Sequence, residues 1–247
     1  MAEIEPSGTY RPQYRSRWRG PVLVLSRFPW LKDHLAKLVR RILTRVFEPG
    51  LITTERVIEY PFVFQNLNGI TGPVLDIGCC YSRLPIALAS RGFQTVGLDV
   101  NPYPFKHPYL QAVRGNAGCC PFAAGSFGMV LAISVVEHIG IGHYGDLKAD
   151  AGDRTAIREI ARVLRPGGLA LITVPFGQLM TDEFQRVYDP SCLRHLLSPL
   201  TVVRIEYAWS RHGLWTPCSE EEASSVDWKG SARAVALIVA TVPRERP

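Results

Sequence analysis

The sequence predicts an α/β fold in which a doubly wound sheet of seven strands carries helices on both faces. Short apolar runs that end in Gly or Asp alternate with amphipathic segments of helical period, which is typical of strand-helix-strand units. The length of 247 residues and the hydrophobic fraction of 47% supply enough apolar side chains for the core of such a sheet.

The first predicted element is an amphipathic helix in an N-terminal extension. Apolar residues recur at spacings of three and four from Phe28 to Phe47, and Glu48-Pro49-Gly50 ends the pattern. We expect residues 1–50 to form an arm and helix beside a main domain of residues 51–247. The other face of the helix is basic, so peripheral contact with an anionic membrane is a less favoured alternative. A homodimer contact through the arm is a further hypothesis.

The main domain is predicted to alternate strands and helices. Its seven strands are Val74–Gly78, Gln94–Asp99, Gln111–Arg114, Met129–Ile133, Leu169–Val174, Val202–Tyr207 and Ala234–Thr241. A helix begins after the Thr53-Thr54 cap and runs to about Leu67, and others are Ser82–Arg91, Asp153–Leu164 and one after the Asp189-Pro190 cap. The segment Arg165–Gly168 is predicted to be a turn, and residues 210–230 an irregular stretch.

Charge is concentrated at the N-terminal end. Residues 1–60 carry 11 Lys/Arg and 6 Asp/Glu, whereas the remainder carries 17 and 16. A basic face across the main domain, which nucleic-acid binding requires, is therefore not predicted. The first residues lack the apolar core of a signal peptide, so we expect a cytoplasmic location in which the six cysteines stay reduced.

The residues that end the first two strands predict a nucleotide site. Ligands of open α/β sheets bind at the carboxyl ends of the strands, where Asp76, Gly78 and Asp99 stand here. A glycine after the first strand lets the backbone approach a ligand, and an acid about 20 residues later can bind ribose hydroxyls. Nicotinamide dehydrogenases share this pattern, but the Gly-x-Gly-x-x-Gly run that they normally need is absent.

A longer series of motifs resembles the class I S-adenosylmethionine-dependent methyltransferases, from about Gly72 to Pro175. The motifs are Val74–Gly78, Gly97–Val100, Gly115–Ala117, Pro121-Phe122 with Gly125–Phe127, Val136–Ile139 and Arg162–Gly168. The resemblance implies a Rossmann-like fold, with S-adenosylmethionine as cofactor and S-adenosylhomocysteine as product. It also implies specific contacts: Asp76 and Gly78 with the methionine part, Asp99 with the ribose, Asn116 and Ala117 with the adenine, and Ser134 with the methyl end.

The sequence departs from the family pattern in the loop after the first strand. Cys80 and Ser82 stand where the family usually has glycine, and neither readily adopts a positive φ, so we expect a differently shaped loop. Gly128 stands where the family usually has an acid. Cys79 and Cys80 are interpreted as small side chains that line the cofactor loop, because adjacent cysteines suit a tetrahedral zinc site poorly.

The segment Glu137–Asp146 follows the fourth strand, where the reacting methyl group should lie. An imidazole in this segment could take a proton from an acceptor hydroxyl. We expect His143, oriented by Asp146, to be the base, with His138 as the second candidate; a packed histidine is the alternative for each. Magnesium bound by carboxylates of this region is a further hypothesis, but no defined metal-ligand spacing is present; the candidate ligands are Glu137, His143, Asp146, Asp150 and Asp153.

The predicted function is transfer of a methyl group to a hydroxyl of a small molecule. The segment Glu137–Asp146 is similar to one in bacterial methyltransferases associated with glycans, which favours a sugar or oligosaccharide acceptor and a role in polysaccharide biosynthesis. Trp209, Trp215 and Trp228 are candidates to stack on a pyranose ring. The alternatives are a phenolic or other natural-product acceptor, and a non-catalytic methyltransferase-like binding protein.

Overall fold

A computed structural model describes residues 54–80, 82–144, 148–211 and 213–243. The predicted N-terminal arm and helix lie outside the described residues, as does Asp146. The division into an arm and a main domain therefore stays a prediction. No helix in the described ranges is long and apolar enough to cross a membrane.

The described residues form ten strands and five α-helices. The strands are β1 (Val74–Ile77), β2 (Thr95–Asp99), β3 (Leu110–Arg114), β4 (Phe127–Ile133), β5 (Leu164–Pro175), β6 (Met180–Thr181), β7 (Arg186–Val187), β8 (Thr201–Arg211), β9 (Leu214–Cys218) and β10 (Arg233–Thr241). The helices are α1 (Arg56–Gln65), α2 (Leu84–Ala89), α3 (Gly152–Val163), α4 (Pro190–Leu196) and α5 (Glu220–Ser224), with a 3₁₀ turn at Val136–His138.

Eight of the strands form one sheet in the order β3-β2-β1-β4-β5-β10-β8-β9. Strands β1 to β5 run parallel, and β10 lies antiparallel between β5 and β8. Because the parallel strands share a direction, the loops after β1, β2, β3 and β4 meet at one edge, which we call the carboxyl edge. Strands β6 and β7 form a separate two-stranded hairpin.

The prediction of a seven-stranded sheet is wrong by one strand, because the sheet has eight. All seven predicted strands are found, and β9 is the eighth, formed within the stretch expected to be irregular. Strand β9 pairs with the end of β8 at the edge of the sheet, and it contains Pro217. An edge strand tolerates proline because one side of its backbone makes no ladder bonds, and its mostly exposed side chains give no alternating apolar signal.

Helices pack on both faces of the sheet, as predicted. On one face, the apolar core joins the sheet to α1 and α2 through Phe62, Val63, Leu84 and Leu88. On the other face, the core joins it to α3, α4 and α5. The described domain is therefore a three-layer α/β structure with the sheet in the middle.

The predicted helix ends are correct in one case and wrong in two. Asp189 caps α4, because its Oδ1 accepts a hydrogen bond from the Cys192 backbone N–H at 2.7 Å. Helix α1 instead begins after Glu55 with no side-chain cap, which contradicts the predicted Thr53-Thr54 cap. Helix α3 begins at Gly152 after the N-cap Ala151, one residue before the predicted start at Asp153.

The segment Arg165–Gly168, which the sequence predicts to be a turn, lies within the first residues of β5. It is therefore at the opposite end of this strand from the carboxyl edge. Arg165 donates a hydrogen bond to the Thr71 hydroxyl, and Gly167 donates its N–H to the Val242 carbonyl. Gly128 lies beside this segment, and a Cβ there would stand 1.9 Å from the Thr71 carbonyl oxygen. The acid that the family usually carries at this position could not fit here.

Candidate functional site

The carboxyl edge is organised around the turn that follows β1. Gly78 has a φ of +74°, and a Cβ on it would lie 2.3 Å from Cγ2 of Val135, just after β4. Glycine is therefore required both by the backbone conformation and by the close approach of a second loop. Of the three alternating positions of this loop, only Gly78 has a positive φ.

The turn is consequently compatible with Cys80 and Ser82 in place of glycine. Ser82 instead accepts a hydrogen bond from the Leu84 N–H at 3.0 Å, at the start of α2. Neither residue has a positive φ, so this turn needs no glycine at these two positions, and the expected difference from the family's loop shape stays a prediction. The side chain of Cys79 is buried and abuts the Gly97 backbone of β2, so it fills the core and does not line the loop.

Asp76 is a buried carboxyl group at the end of β1. Its side chain is 2% exposed, and Oδ2 has no hydrogen-bond partner among the described residues. Burial raises the pKa of Asp76 to about 8, with a smaller contribution from nearby Asp99, whereas Arg56 lowers it. A cationic group that reached Oδ2 would supply the missing donor and favour the ionised carboxylate.

Asp99 at the end of β2 is joined to the β1 turn. Its Oδ2 accepts a hydrogen bond from the Cys80 N–H at 2.9 Å, and its Oδ1 accepts one from the Asn101 N–H at 2.8 Å. These two bonds hold the carboxylate in one orientation at the carboxyl edge. The structure thus brings together Asp76, Gly78, Cys80 and Asp99, as the sequence predicts.

Asn116 and Ala117 follow β3 beside this group. The Gly115 N–H donates to the carbonyl of Asp99, the last residue of β2, at 2.9 Å. Asn116, the next residue in the chain, therefore lies close to the end of β2. The Asn116 side chain is exposed, and its Oδ1 accepts a hydrogen bond from the Gly118 N–H at 2.7 Å. This bond holds a tight turn beside Asp99.

Ser134, which follows β4, lies in an unusual conformation. Its φ of +49° is the only positive φ of a non-glycine residue in the described ranges. Its hydroxyl donates to Glu59 Oε1 at 2.6 Å, and its N–H donates to the Thr173 hydroxyl at 2.9 Å. Glu59 is fully buried on α1 and pairs with Arg56 at 2.7 Å.

Glu137 and His138 form a side-chain pair in the 3₁₀ turn after β4. Glu137 Oε1 lies 3.7 Å from His138 Nε2, while Glu137 Oε2 is buried without a hydrogen-bond partner in the described part of the chain. Burial holds the pKa of Glu137 well above its usual range, and the charge of Glu59 raises it further. His138 Nδ1 lies 2.7 Å from the Phe184 carbonyl oxygen. Because a carbonyl oxygen only accepts, Nδ1 carries the proton and Nε2 is the basic nitrogen of the neutral ring.

His143 belongs to an aromatic cluster with His138, Tyr144 and Phe184. Its ring centroid lies 4.9 Å from those of Tyr144 and Phe184, and the His138 centroid lies 5.1 and 4.8 Å from the same two rings. His143 is exposed, and the rings of Tyr144 and Phe184 are also partly open to solvent. The structure therefore brings the two predicted bases together, but Asp146, the predicted orienting acid of His143, is outside the described ranges.

The magnesium hypothesis gains no support from the described residues, which contain no group of three or more His, Cys, Asp and Glu side chains able to hold a metal ion. Asp153 is buried and accepts a hydrogen bond from the Tyr188 hydroxyl at 3.0 Å. Asp150 is exposed. These acids and Glu137 do not converge on one point in the described part of the chain.

The three tryptophans are not arranged as a common stacking surface. The Arg211 guanidinium lies 3.7 Å from the ring centroid of Trp209, and Arg233 lies 4.9 Å from that of Trp228. Trp215 packs against the apolar core of the face that carries α1 and α2. Each ring therefore already has a contact within the protein, and these tryptophans do not support a sugar site.

Comparison with known proteins found similarity to methyltransferases over part of the chain. Residues 75–172 match the family described as "Methyltransferase domain". A SAM-dependent methyltransferase of Methanosarcina mazei has a similar structure, with a TM-score of 0.53 at 17% identity, covering 74% of this chain and 98% of that one. The fold is that of the class I S-adenosylmethionine-dependent methyltransferases.

Two further relatives have methyltransferase descriptions. A Mycobacterium sp. (strain JLS) protein described as an uncharacterized methyltransferase is 33% identical over 115 residues, which are 42% of this chain and 41% of that protein. A Haemonchus contortus phosphoethanolamine N-methyltransferase, solved with phosphomonomethylethanolamine and S-adenosylhomocysteine, has a TM-score of 0.54 at 16% identity, covering 83% of this chain and 60% of that one.

Sequence reasoning missed several residues that shape this methyltransferase fold at the carboxyl edge: Arg56, Glu59, Thr173 and Phe184. One signal was present for Glu59. It stands three and four positions before Phe62 and Val63, so the apolar side of an amphipathic helix also carries this acid. The identity of its partners could not be read from the sequence, because they lie 75 and 114 positions away.

Proposed function

We propose that this chain is a methyltransferase that transfers the methyl group of S-adenosylmethionine to a hydroxyl group of a small molecule. The observation that carries the proposal is Asp76 Oδ2, a buried carboxyl oxygen that lacks a donor at the carboxyl edge. It lies at the end of the strand that leads into the Gly78 turn, with Asp99 held beside that turn. A buried carboxyl oxygen of Asp76 that lacks a hydrogen-bond donor, close to Asp99 as a ligand for ribose hydroxyls, fits a nucleoside that carries an ammonium group.

The chain's residues would hold this cofactor from three sides. Asp76 would pair with the ammonium group of the methionine part, and Asp99 would accept hydrogen bonds from the ribose hydroxyls. Asn116 and Ala117 would border the adenine, and Ser134 would lie at the methyl end. The bound cofactor supplies an electrophilic methyl group on a sulfonium centre. Alignment of this group with the acceptor would provide most of the rate acceleration.

His143 is assigned as the general base for the acceptor hydroxyl. It is exposed at the carboxyl edge, so an acceptor can reach its ring from solvent. It would take the proton that leaves the hydroxyl oxygen as that oxygen bonds to the methyl carbon, while the methyl–sulfur bond breaks and S-adenosylhomocysteine is released. His138, with its Nδ1 proton bound by the Phe184 carbonyl, is the second candidate for this base.

A sugar or oligosaccharide is the first acceptor class, supported by the similarity of Glu137–Asp146 to segments of glycan-associated methyltransferases. The aromatic cluster favours a second class, phenols. Tyr144 is 38% exposed and Phe184 is 39% exposed, so both present ring surface beside the two histidines. A flat phenolic ring could pack there edge to face.

The test begins with the cofactor and then compares acceptors. Calorimetric titration of the full chain with S-adenosylhomocysteine should show saturable binding with one site per chain. Matched panels of monosaccharides and simple phenols are then incubated with S-adenosylmethionine labelled in the methyl group. Label on oxygen of a sugar confirms the first acceptor class, label on a phenol confirms the second, and absence of cofactor binding refutes the proposal.

A further inference from the structure

A buried polar network ties helix α1 to the ends of β4 and β5. Arg56 Nη1 donates to Glu59 Oε2 at 2.7 Å and to the Ile133 carbonyl at 3.0 Å. Glu59 Oε1 accepts hydrogen bonds from the hydroxyls of Ser134 and Thr173. Both oxygens of the Glu59 carboxylate are therefore partnered, although its side chain is fully buried.

The network holds a backbone conformation that is costly for serine. A non-glycine residue in the left-handed region costs about 1–2 kcal/mol relative to the right-handed region, and Ser134 lies there with a φ of +49°. Such a conformation persists only where the surroundings determine it. Three bonds do so here: the Ser134 hydroxyl to Glu59, and its N–H to the hydroxyl and to the carbonyl of Thr173.

The Ser134 turn leads directly to other parts of the candidate site. Val135 packs against Gly78, and Glu137 and His138 follow in the next turn of chain. Helix α1 also reaches the loop after β1, where the Tyr60 hydroxyl lies 3.2 Å from the Ser82 hydroxyl. Helix α1 therefore contacts two of the loops that form the carboxyl edge.

We propose that Arg56 and Glu59 are positioning residues that hold the Ser134 turn in the conformation required for cofactor binding. The inference rests on the proposed function and deepens it, since it assigns a role to two side chains that are not among those proposed to hold the cofactor or to act on the acceptor. Glu59 acts through the Ser134 and Thr173 hydroxyls, and Arg56 acts as the hydrogen-bond donor and counter-charge that orients the Glu59 carboxyl group.

The charge balance of the region supports this assignment of roles. Burial raises the pKa of Glu59, and Arg56 is the largest influence that lowers it again. Uncompensated burial of a carboxylate is costly, so the Arg56 partner permits a charged hydrogen-bond acceptor at this position. A charged hydrogen-bond acceptor makes stronger bonds to the Ser134 and Thr173 hydroxyls than a neutral one would.

The test compares Glu59→Gln with Val63→Ala in the full chain. Val63 is buried on the same helix, and its apolar side chain makes no hydrogen bond in the network, so its truncation loosens α1 without removing any of these bonds. We expect Glu59→Gln to weaken S-adenosylhomocysteine binding about 5- to 100-fold, the range for loss of a buried charge-assisted hydrogen bond. Val63→Ala should bind within about twofold of wild type, a small fraction of that loss.

Hydrogen exchange provides a readout that does not depend on the ligand. The peptide that spans 131–139 should exchange faster in Glu59→Gln than in wild type, and should be unchanged in Val63→Ala. The conservative variant Thr173→Ser keeps a hydroxyl and should retain wild-type affinity, whereas Thr173→Val should lose part of it. This contrast separates hydrogen bonding from packing at the same position.

Each outcome decides the inference. If wild type binds S-adenosylhomocysteine and folded Glu59→Gln binds it with equal affinity, the inference is overturned, although the proposed function stands. If Glu59→Gln does not fold, Thr173→Val decides, and unchanged affinity together with unchanged exchange would overturn the inference. If wild type itself does not bind S-adenosylhomocysteine, the proposed function fails and the positioning role fails with it.

Discussion

A Cβ atom on Gly78 would lie 2.3 Å from Cγ2 of Val135, so the loops after β1 and β4 touch at this point. The contact is possible only because position 78 has no side chain. Since the φ of Gly78 is also in the left-handed region, two independent constraints select glycine there. The conformation of the turn after β1 is therefore fixed both by its own backbone and by the neighbouring loop after β4.

We expect Gly78→Ala to destabilise the protein by about 2–4 kcal/mol, from overpacking together with a positive φ. Urea unfolding of the full chain measures this loss. The double variant Gly78→Ala with Val135→Ala should recover part of it, because the two Cγ atoms are removed while the strained φ stays. Loss of stability that the second substitution does not reduce would contradict the steric explanation.

Asp99→Asn should weaken S-adenosylhomocysteine binding by about 1–3 kcal/mol, because a charge-assisted hydrogen bond becomes a neutral one. The asparagine side-chain oxygen can still accept one of the two backbone N–H bonds that Asp99 makes, so the protein should still fold. Calorimetric titration measures the change. Asp227→Asn is the matched control, since Asp227 also accepts a local backbone N–H and is distant in sequence from the cofactor motifs. Equal affinities for the two variants would reject Asp99 as the ribose ligand.

The ligand-free protein should lose stability as the pH rises from about 4 to about 8, and Asp76 should contribute to this loss. The pKa of Asp76 is about 8 in the folded protein, against a usual value of 3.8, so the folded state binds more protons than the unfolded state in this window. Each pH unit then costs at most about 1.4 kcal/mol for this group. Glu59 and Glu137 act in the same direction, because burial also raises their pKa values.

Asp76→Asn should therefore stabilise the ligand-free protein at pH 8 much more than at pH 5, because it removes the cost of ionising this buried group. Thermal unfolding at the two pH values measures the difference. Asp150→Asn, at an exposed acid, should leave the pH dependence of stability unchanged. A stabilisation of the same size at both pH values would show that Asp76 does not titrate in this range.

His143→Ala should lower kcat by about 10²- to 10⁴-fold, the usual contribution of a general base, while affinity for S-adenosylhomocysteine stays near that of wild type. The assay uses whichever acceptor the panels identify. His107→Ala is the control, because His107 precedes β3 and bonds to the Tyr109 N–H away from the carboxyl edge. If His143→Ala keeps most of its turnover, His138→Ala becomes the decisive variant.

The local pattern of the sequence was sufficient to predict most of the sheet. Strands β1, β2, β4 and β10 are apolar runs bounded by turn residues, and these signals lie within a few positions of each other. The positions of Asp76, Gly78 and Asp99 at one edge also follow, because parallel strands place their carboxyl ends together. Strand β9 was missed because its pairing with β8, rather than an apolar period of its own, makes it a strand.

The tertiary structure alone decided which side chains meet at the carboxyl edge. Glu59 bonds to Ser134 across 75 positions, and the His138 ring contacts the Phe184 carbonyl across 46. No local period encodes such pairs, since they depend on how α1 and the β6-β7 hairpin pack against the sheet. The sequence by itself therefore determined the fold class and the residues that lie at the carboxyl edge, because both depend on hydrophobic period and turn chemistry. The orientation of Ser134 and the proton position on His138 were decided by contacts that exist only after the chain has folded.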